Sequence, residues 1–464
     1  MSGADTVERL RQFLRELSPP ARLLLMGELE RCVLRGEDIA GADLVLQELR
    51  RVLREQRDGP PRLAGAARQF FKPFEPFLVD DVAGHTHPGR IARSSLEALW
   101  TWIRRDVLPG DAKPLADDIG AALLASDKAK ADYLARKLQD RVAAAVDGYF
   151  EGGSDERARR RLLAQVGTPR AEEDAATLRC VLQGQDRLAS LSERLPLRIG
   201  NLAGDQLDEC KQLIDYTEQA NRDLLLYALL IVRDRLAAPW QLVRLGTKAA
   251  GSNAAARVAD TRYRVTVTIV LADLERMVRE LSDELHNGRG FAVSALLKTI
   301  HDSARGLRTE LDLPIASTWG RSLGAIRAKI ADLLHNEIES TPGRVRNLLR
   351  PRPSTEIRPY SVLDPDEVSE IETLVQFVGT CRQFANELAV GELTQRIFSE
   401  LQQYLDYDMR ALLDGVRHAG TADRAFRQSQ ADAAVRLCAK VLGKDYAALV
   451  GKAAEVAGGE RKAG

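Results

Sequence analysis

The chain has 464 residues, with 67 Lys and Arg against 67 Asp and Glu, so its formal charge is zero. Hydrophobic residues at 45% and charged residues at 29% are ordinary for a globular chain and exclude wholesale disorder. The balance also removes the basic excess that a nucleic-acid or anionic-membrane partner would require.

Nearly every segment places apolar residues at helical spacing. Val7, Leu10, Leu14 and Leu17 form the first stripe, closed by Ser18-Pro19-Pro20, and no unbroken apolar core there reads as a signal peptide. A second helix is predicted over 42–56, before Gly59-Pro60-Pro61. Residues 60–90 mix Pro, Gly and aromatic side chains without a period. A helix with Trp100 and Trp102 is then predicted over 88–106, opened by Pro88. Helices follow over 114–126, 129–150 and 155–166, with a boundary at Gly152-Gly153-Ser154.

From residue 171 the predicted helices lengthen, to 171–194, 205–245, 253–287, 290–311 and 317–338. Val265 to Val270 has strand propensity, but it lies within a long helical pattern and is predicted helical. The longest apolar run, Leu224 to Val232, is about half of what a bilayer crossing needs. Residues 341–362 read as an Arg/Pro linker, with Pro342, Pro351, Pro353 and Pro359 against regular structure. The next helix opens on Asp364-Pro365-Asp366-Glu367, an acidic first turn suited to the helix dipole. The fold expected is all-α, multi-helix bundles of long antiparallel helices without significant sheet. Four parts are predicted: an N-terminal helical region (1–152), a central long-helix bundle (153–340), the linker (341–362) and a C-terminal helical unit (363–464).

The five cysteines, Cys32, Cys180, Cys210, Cys381 and Cys438, form no close pair. That pattern predicts reduced thiols and a cytoplasmic chain. Arg outnumbers Lys by 54 to 13, which points to a GC-rich bacterial genome. Gly246 and Gly251 have the spacing of a phosphate-binding loop, but Ser252 stands where its Lys would be, so none is predicted.

Two sets of residues offer metal-ligand chemistry. Asp80, Asp81, His85 and His87 fall within eight residues, where a loop could wrap one divalent ion. Asp283 and His286 recur as Asp332 and His335 forty-nine residues later, each pair at i, i+3 on one helix face. Paired carboxylate and histidine motifs are how dimetal bundles are built. Helix-end chemistry competes with this, because His and Asn favour helix C-termini. Phe70, Phe71, Phe74, Phe77, Trp100 and Trp102 read either as a local core or as an exposed partner-binding patch.

Arg344, Arg346, Arg350, Arg352 and Arg358 give residues 341–360 a charge of +4, against −6 over 361–400. This polarised junction is a candidate for an acidic partner or for an intramolecular latch. The functional expectation is a cytoplasmic, non-enzymatic scaffold or adaptor that binds protein partners or itself, with no cofactor, no nucleic acid and no transmembrane segment. A metal-binding bundle or metal-dependent enzyme using the Asp-His pairs is the competing expectation, with a divalent ion as cofactor. Peripheral membrane association through the aromatic segment is the third.

Overall fold

The computed structural model describes residues 10, 13–14, 17, 21–22, 24–26, 28–29, 41–42, 44–46, 48–49, 65–80, 87–151, 156–219, 221–286 and 290–459. These form an all-α, multi-helix fold. Its only sheet among the described residues pairs β1 (Leu78–Val79) in parallel with β2 (Ile91–Ala92). The chain divides into two compact units: residues 1–249 with 262–269, and residues 250–261 with 270–464.

In the first unit, the described residues of 10–49 include a small apolar cluster centred on Leu14 and Leu49. The chain continues through α1 (Gly65–Phe70), a 3-10 turn over Lys72–Phe77, and the two short strands. Helix α2 (Leu96–Trp102) follows, running into a π turn over Ile103–Val107. The expected start at Pro88 is corrected. Gly89 takes φ +66° and Ile91 pairs with Leu78, so helix begins only at Leu96.

Next come α3 (Ala112–Leu124), α4 (Lys128–Glu151), α5 (Glu156–Val166) and α6 (Ala171–Arg194). Helix α6 opens on Glu172, Glu173 and Asp174 and ends on Arg194, an order of charge that suits its dipole. Its Gly184 allows close approach to Leu224, since a Cβ there would stand 2.2 Å from Leu224 Cδ2.

The helix expected over 205–245 is three pieces: α7 (Gly204–Glu218), α8 (Leu224–Arg235) and α9 (Val243–Ala250). Asn221 causes the first break, its side chain accepting from the Asp223 N–H at 2.9 Å in an Asx turn. Pro239 causes the second. It holds Ala238 extended, and the chain beside it bridges to Ile199 through the Ala237 N–H at 2.8 Å.

The helix expected over 253–287 is also divided, into α10 (Ala255–Ala259) and α11 (Val265–His286), with a 3-10 turn over Arg262–Arg264. The turn carries Tyr263, whose buried ring sends its hydroxyl to Asp215 Oδ1 at 2.7 Å. Helix α11 contains Val265 to Val270, so burial of Val267, Ile269 and Val270 overrides their strand propensity.

The second unit holds α12 (Gly290–Glu310), α13 (Thr318–Leu349), α14 (Pro365–Gln383), the single turn α15 (Ala385–Leu388) and α16 (Gly391–Arg417). It closes with α17 (Arg424–Val441) and α18 (Lys444–Gly459). Here the linker reading is corrected at its first nine residues, because α13 continues through Pro342 to Leu349. Proline inside a helix costs about 3 kcal/mol. Burial of Ile338, Pro342, Val345, Leu348 and Leu349 along one face of α13 offsets it. Residues 350–363 are a non-helical strap apart from a 3-10 turn over Ser354–Glu356. Asp364 caps α14 by accepting from the Asp366 N–H at 3.0 Å, with Pro365 at the first helical position. Cys180, Cys210, Cys381 and Cys438 are buried free thiols. No helix among the described residues is long and apolar enough to cross a membrane.

Candidate binding groove beside His335

The candidate metal ligands are placed apart. Asp80 is exposed and pairs with Arg93 Nε at 3.1 Å. His87 is buried, its carbonyl accepting from Arg170 Nη2 at 3.1 Å. Asp81 and His85 lie outside the described residues. Asp283, His286, Asp332 and His335 are all exposed on their helices. The inward positions of α13 go to Ile330, Leu334 and Ile338 instead. His286 donates from Nδ1 to its own turn, at the Ser282 carbonyl 2.6 Å away. Among the described residues, no three His, Cys, Asp or Glu side chains stand close enough together to hold a metal ion.

The six aromatic side chains are core in this fold, and the exposed-patch reading is withdrawn for them. Phe70, Phe74, Phe77 and Trp102 are sealed from solvent, and Phe71 and Trp100 nearly so. Phe70 meets Phe71 edge-on at 5.0 Å and lies tilted on Trp100 at 5.3 Å, while Phe77 meets Tyr227 edge-on at 5.4 Å. A membrane surface therefore finds none of these rings exposed.

Four of the five junction arginines are engaged within the second unit. Arg344 pairs with Glu370 and Arg346 with Glu400, while Arg350 reaches Glu356 at 3.3 Å. Arg352 lies 5.1 Å above the Phe426 ring. Arg358 is exposed and has no carboxylate partner among the described residues.

His335 faces an open groove of about 510 Å³ formed by α13, α15 and the start of α16. Ala331 and His335 line one side. Ala385, Asn386 and the backbone from Ala389 to Leu393 line the other. The His335 ring is oriented by Glu339, with Nε2 3.1 Å from Oε2, and Glu339 is itself held by Arg396 at 2.9 Å. The Arg396 hydrogen bond, with His335 beside it, keeps the Glu339 carboxyl below the usual carboxylate range.

The far wall is rigid for identifiable reasons. Glu387 is nearly buried and accepts from Arg308 Nη1 at 2.9 and 3.0 Å, one contact per carboxylate oxygen. Arg327 spans the same turn, donating to the carbonyls of Asn386 and Glu387. Ala389 sits at φ +58°, a left-handed conformation that a residue with a Cβ adopts only when its surroundings impose it. Val390 then opens α16 without a side-chain cap, so N–H groups of the first turn lack an intrahelical acceptor. The groove thus combines small apolar walls, one oriented imidazole and backbone donors.

Arg308→Ala should lower the stability of the second unit by about 2 kcal/mol, because it leaves the Glu387 carboxylate buried without its cation. Urea unfolding of the full chain checks this. Adding Glu387→Gln to the same protein should recover most of the loss.

Only His335 of this groove figures in the sequence expectation. Asn386, Ala389 and the two anchoring arginines carry no motif, and Gly391 reads only as a helix boundary. Compared with known protein families, with curated proteins and with solved structures, the chain matches none.

Proposed function

We propose that this chain is a non-enzymatic helical scaffold or adaptor that receives a short segment of a protein partner in the groove beside His335. The observation that supports this reading is the groove itself. Its walls mix methyl groups with a few fixed polar atoms. A peptide can match both kinds of wall, placing small apolar side chains against Ala331 and Ala385 and main-chain groups against His335 and the α16 start. The Arg308–Glu387 and Arg327 contacts hold the turn in place before a partner arrives, which lowers the ordering cost of binding.

The test is Ala331→Arg, which places a long side chain in the groove from a half-buried position of α13. Affinity-tagged full chain, expressed in its own cells and analysed by mass spectrometry, is expected to retain a stoichiometric partner. The variant should lose that partner by about tenfold or more while melting at the same temperature. Equal retention by both proteins would remove the groove reading.

A further inference from the structure

We infer that the outer face of α18 is a self-association surface, on which a second copy of this chain packs its own α18 antiparallel. This goes beyond the groove reading and uses a different face of the second unit. A helix packed on one side needs one apolar stripe, and α18 carries two. Ala447, Val450, Ala454 and Ala457 form the first and are buried, the last two in a cluster with Val416 of α16 and Ala431 of α17. Tyr446, Leu449, Ala453 and Val456 form the second, at the same spacing but turned by about 100° around the axis. Tyr446 and Ala453 are half-buried, whereas Leu449 is 71% exposed and Val456 57%.

The charges bordering this stripe select its occupant. Lys444, Asp445, Lys452 and Glu455 are exposed along its outer side and sum to zero. The Tyr446 hydroxyl donates to Asp406 Oδ1 at 2.8 Å, which brings α16 to the other side. There Asp406, Arg410, Asp414 and Arg417 are exposed and also sum to zero. A basic or an acidic partner therefore gains nothing here; a surface with the same alternation of sign does.

The positions along α18 make that alternation self-complementary. A twofold axis at Leu449 sets each residue level with the residue equally far along the other copy in the opposite direction. Asp445 stands four residues before Leu449 and meets Lys452, three residues after it. Lys444, five before, comes level with Glu455, six after, and Tyr446, three before, with Ala453, four after. Each match is within one residue, about 1.5 Å along the axis. Leu449 meets its own symmetry mate, and Val456 falls at the half-buried Leu442 in the turn before α18. Among the described residues neither Asp445 nor Lys452 has an ion-pair partner within its own copy. A parallel pairing would instead set these two charges beside Val450 and Ala457, which are already buried in their own unit. Antiparallel packing also opposes the two helix dipoles. One helix face per copy is a small contact, so the dimer is a weak one, with Kd on the order of 10–100 µM.

Sedimentation of the full chain between about 1 and 200 µM tests this, and a monomer–dimer equilibrium is expected. Leu449→Asp should raise the dimer Kd by about tenfold or more. Because that position is exposed, its melting temperature at low concentration should match the parent's. Asp445→Lys and Lys452→Asp should each weaken their own homodimer by about fivefold or more, since each sets like charges face to face twice. Mixed in equal amounts, these two variants should form a heterodimer at least as tight as the parent dimer, because every facing pair is then opposite in sign. That gain should shrink as salt is raised. A chain that stays monomeric at the highest concentration would overturn the inference. A dimer that Leu449→Asp leaves intact would do the same, as would a charge-variant mixture that associates no better than its components. Ala331→Arg should leave the dimer unchanged; a dimer that it dissociates would belong to the groove and overturn the assignment to α18.

Discussion

Phe70→Ala is expected to lower the stability of the first unit by about 3–5 kcal/mol, the cost of emptying a fully buried aromatic site. Phe70 has 0% exposure, two aromatic neighbours within 5.3 Å, and a carbonyl that accepts from the buried Gln139 side chain at 2.8 Å. Its removal opens a cavity that Phe71 and Trp100 can fill only by leaving their edge-on geometry. Trp100 and Trp102 report on the site, so urea unfolding followed by tryptophan fluorescence reads it directly. Tyr133→Ala is the control: that ring is 68% exposed, and its loss should stay within about 0.5 kcal/mol. A Phe70 variant as mild as the Tyr133 one would mean that the aromatic segment is surface after all.

The orientation of these rings shows what a sequence conceals. Searching residues 60–90 for a repeat of 3.6 finds none, because Pro73 and Pro76 fall where an α-helix would need donors. Phe71, Phe74 and Phe77 are nonetheless spaced by three. The 3-10 turn over Lys72–Phe77 has three residues per turn and brings side chains at that spacing onto one side. The period of this segment is that of a 3-10 helix and not of an α-helix.

Long helices were legible where capping and apolar spacing agree, as in α6 and at the start of α14. They were misjudged where one side chain redirects the chain. Asn221 and Pro239 divide what reads as a continuous helix, and Pro342 fails to end one. In the last case tertiary burial of an apolar face outweighs a local rule, which no window of sequence reveals. The groove was almost illegible for a related reason. Its walls are backbone around Ala389, fixed by Arg308 and Arg327 from helices 79 and 60 residues away in sequence. The junction charges were visible, but not their pairing: Arg346 finds Glu400 on α16.

Asp174→Asn should stabilise the protein by as much as about 3 kcal/mol near pH 8 and by little near pH 4. Asp174 lies in the first turn of α6 with only 4% exposure. Burial pushes its carboxyl up to about 6; the nearby Arg170 opposes this, and Glu173 adds to it. Arg170 gives weak relief because its guanidinium is already engaged by Glu173 at 2.7 Å and by the His87 carbonyl. The unfolded chain releases the same proton near pH 3.9, so between there and about 6 the folded state binds more protons. Stability from this group is thus fully present below the unfolded value and is lost as pH rises through about 6. Asparagine keeps the shape and removes the ionisation, so the gain must grow with pH across that interval.

Asp423 supplies the opposite sign in the same chain. The Arg427 hydrogen bond, aided by Ser354, holds its carboxyl below the usual range, so its contribution is present above the unfolded value and lost on acidification. Asp423→Asn should therefore destabilise near pH 8, and its penalty should shrink toward acid. Chemical unfolding of both variants over that pH range decides the matter. Two asparagine substitutions whose effects change with pH in the same direction would disprove the assignment of burial to one aspartate and pairing to the other.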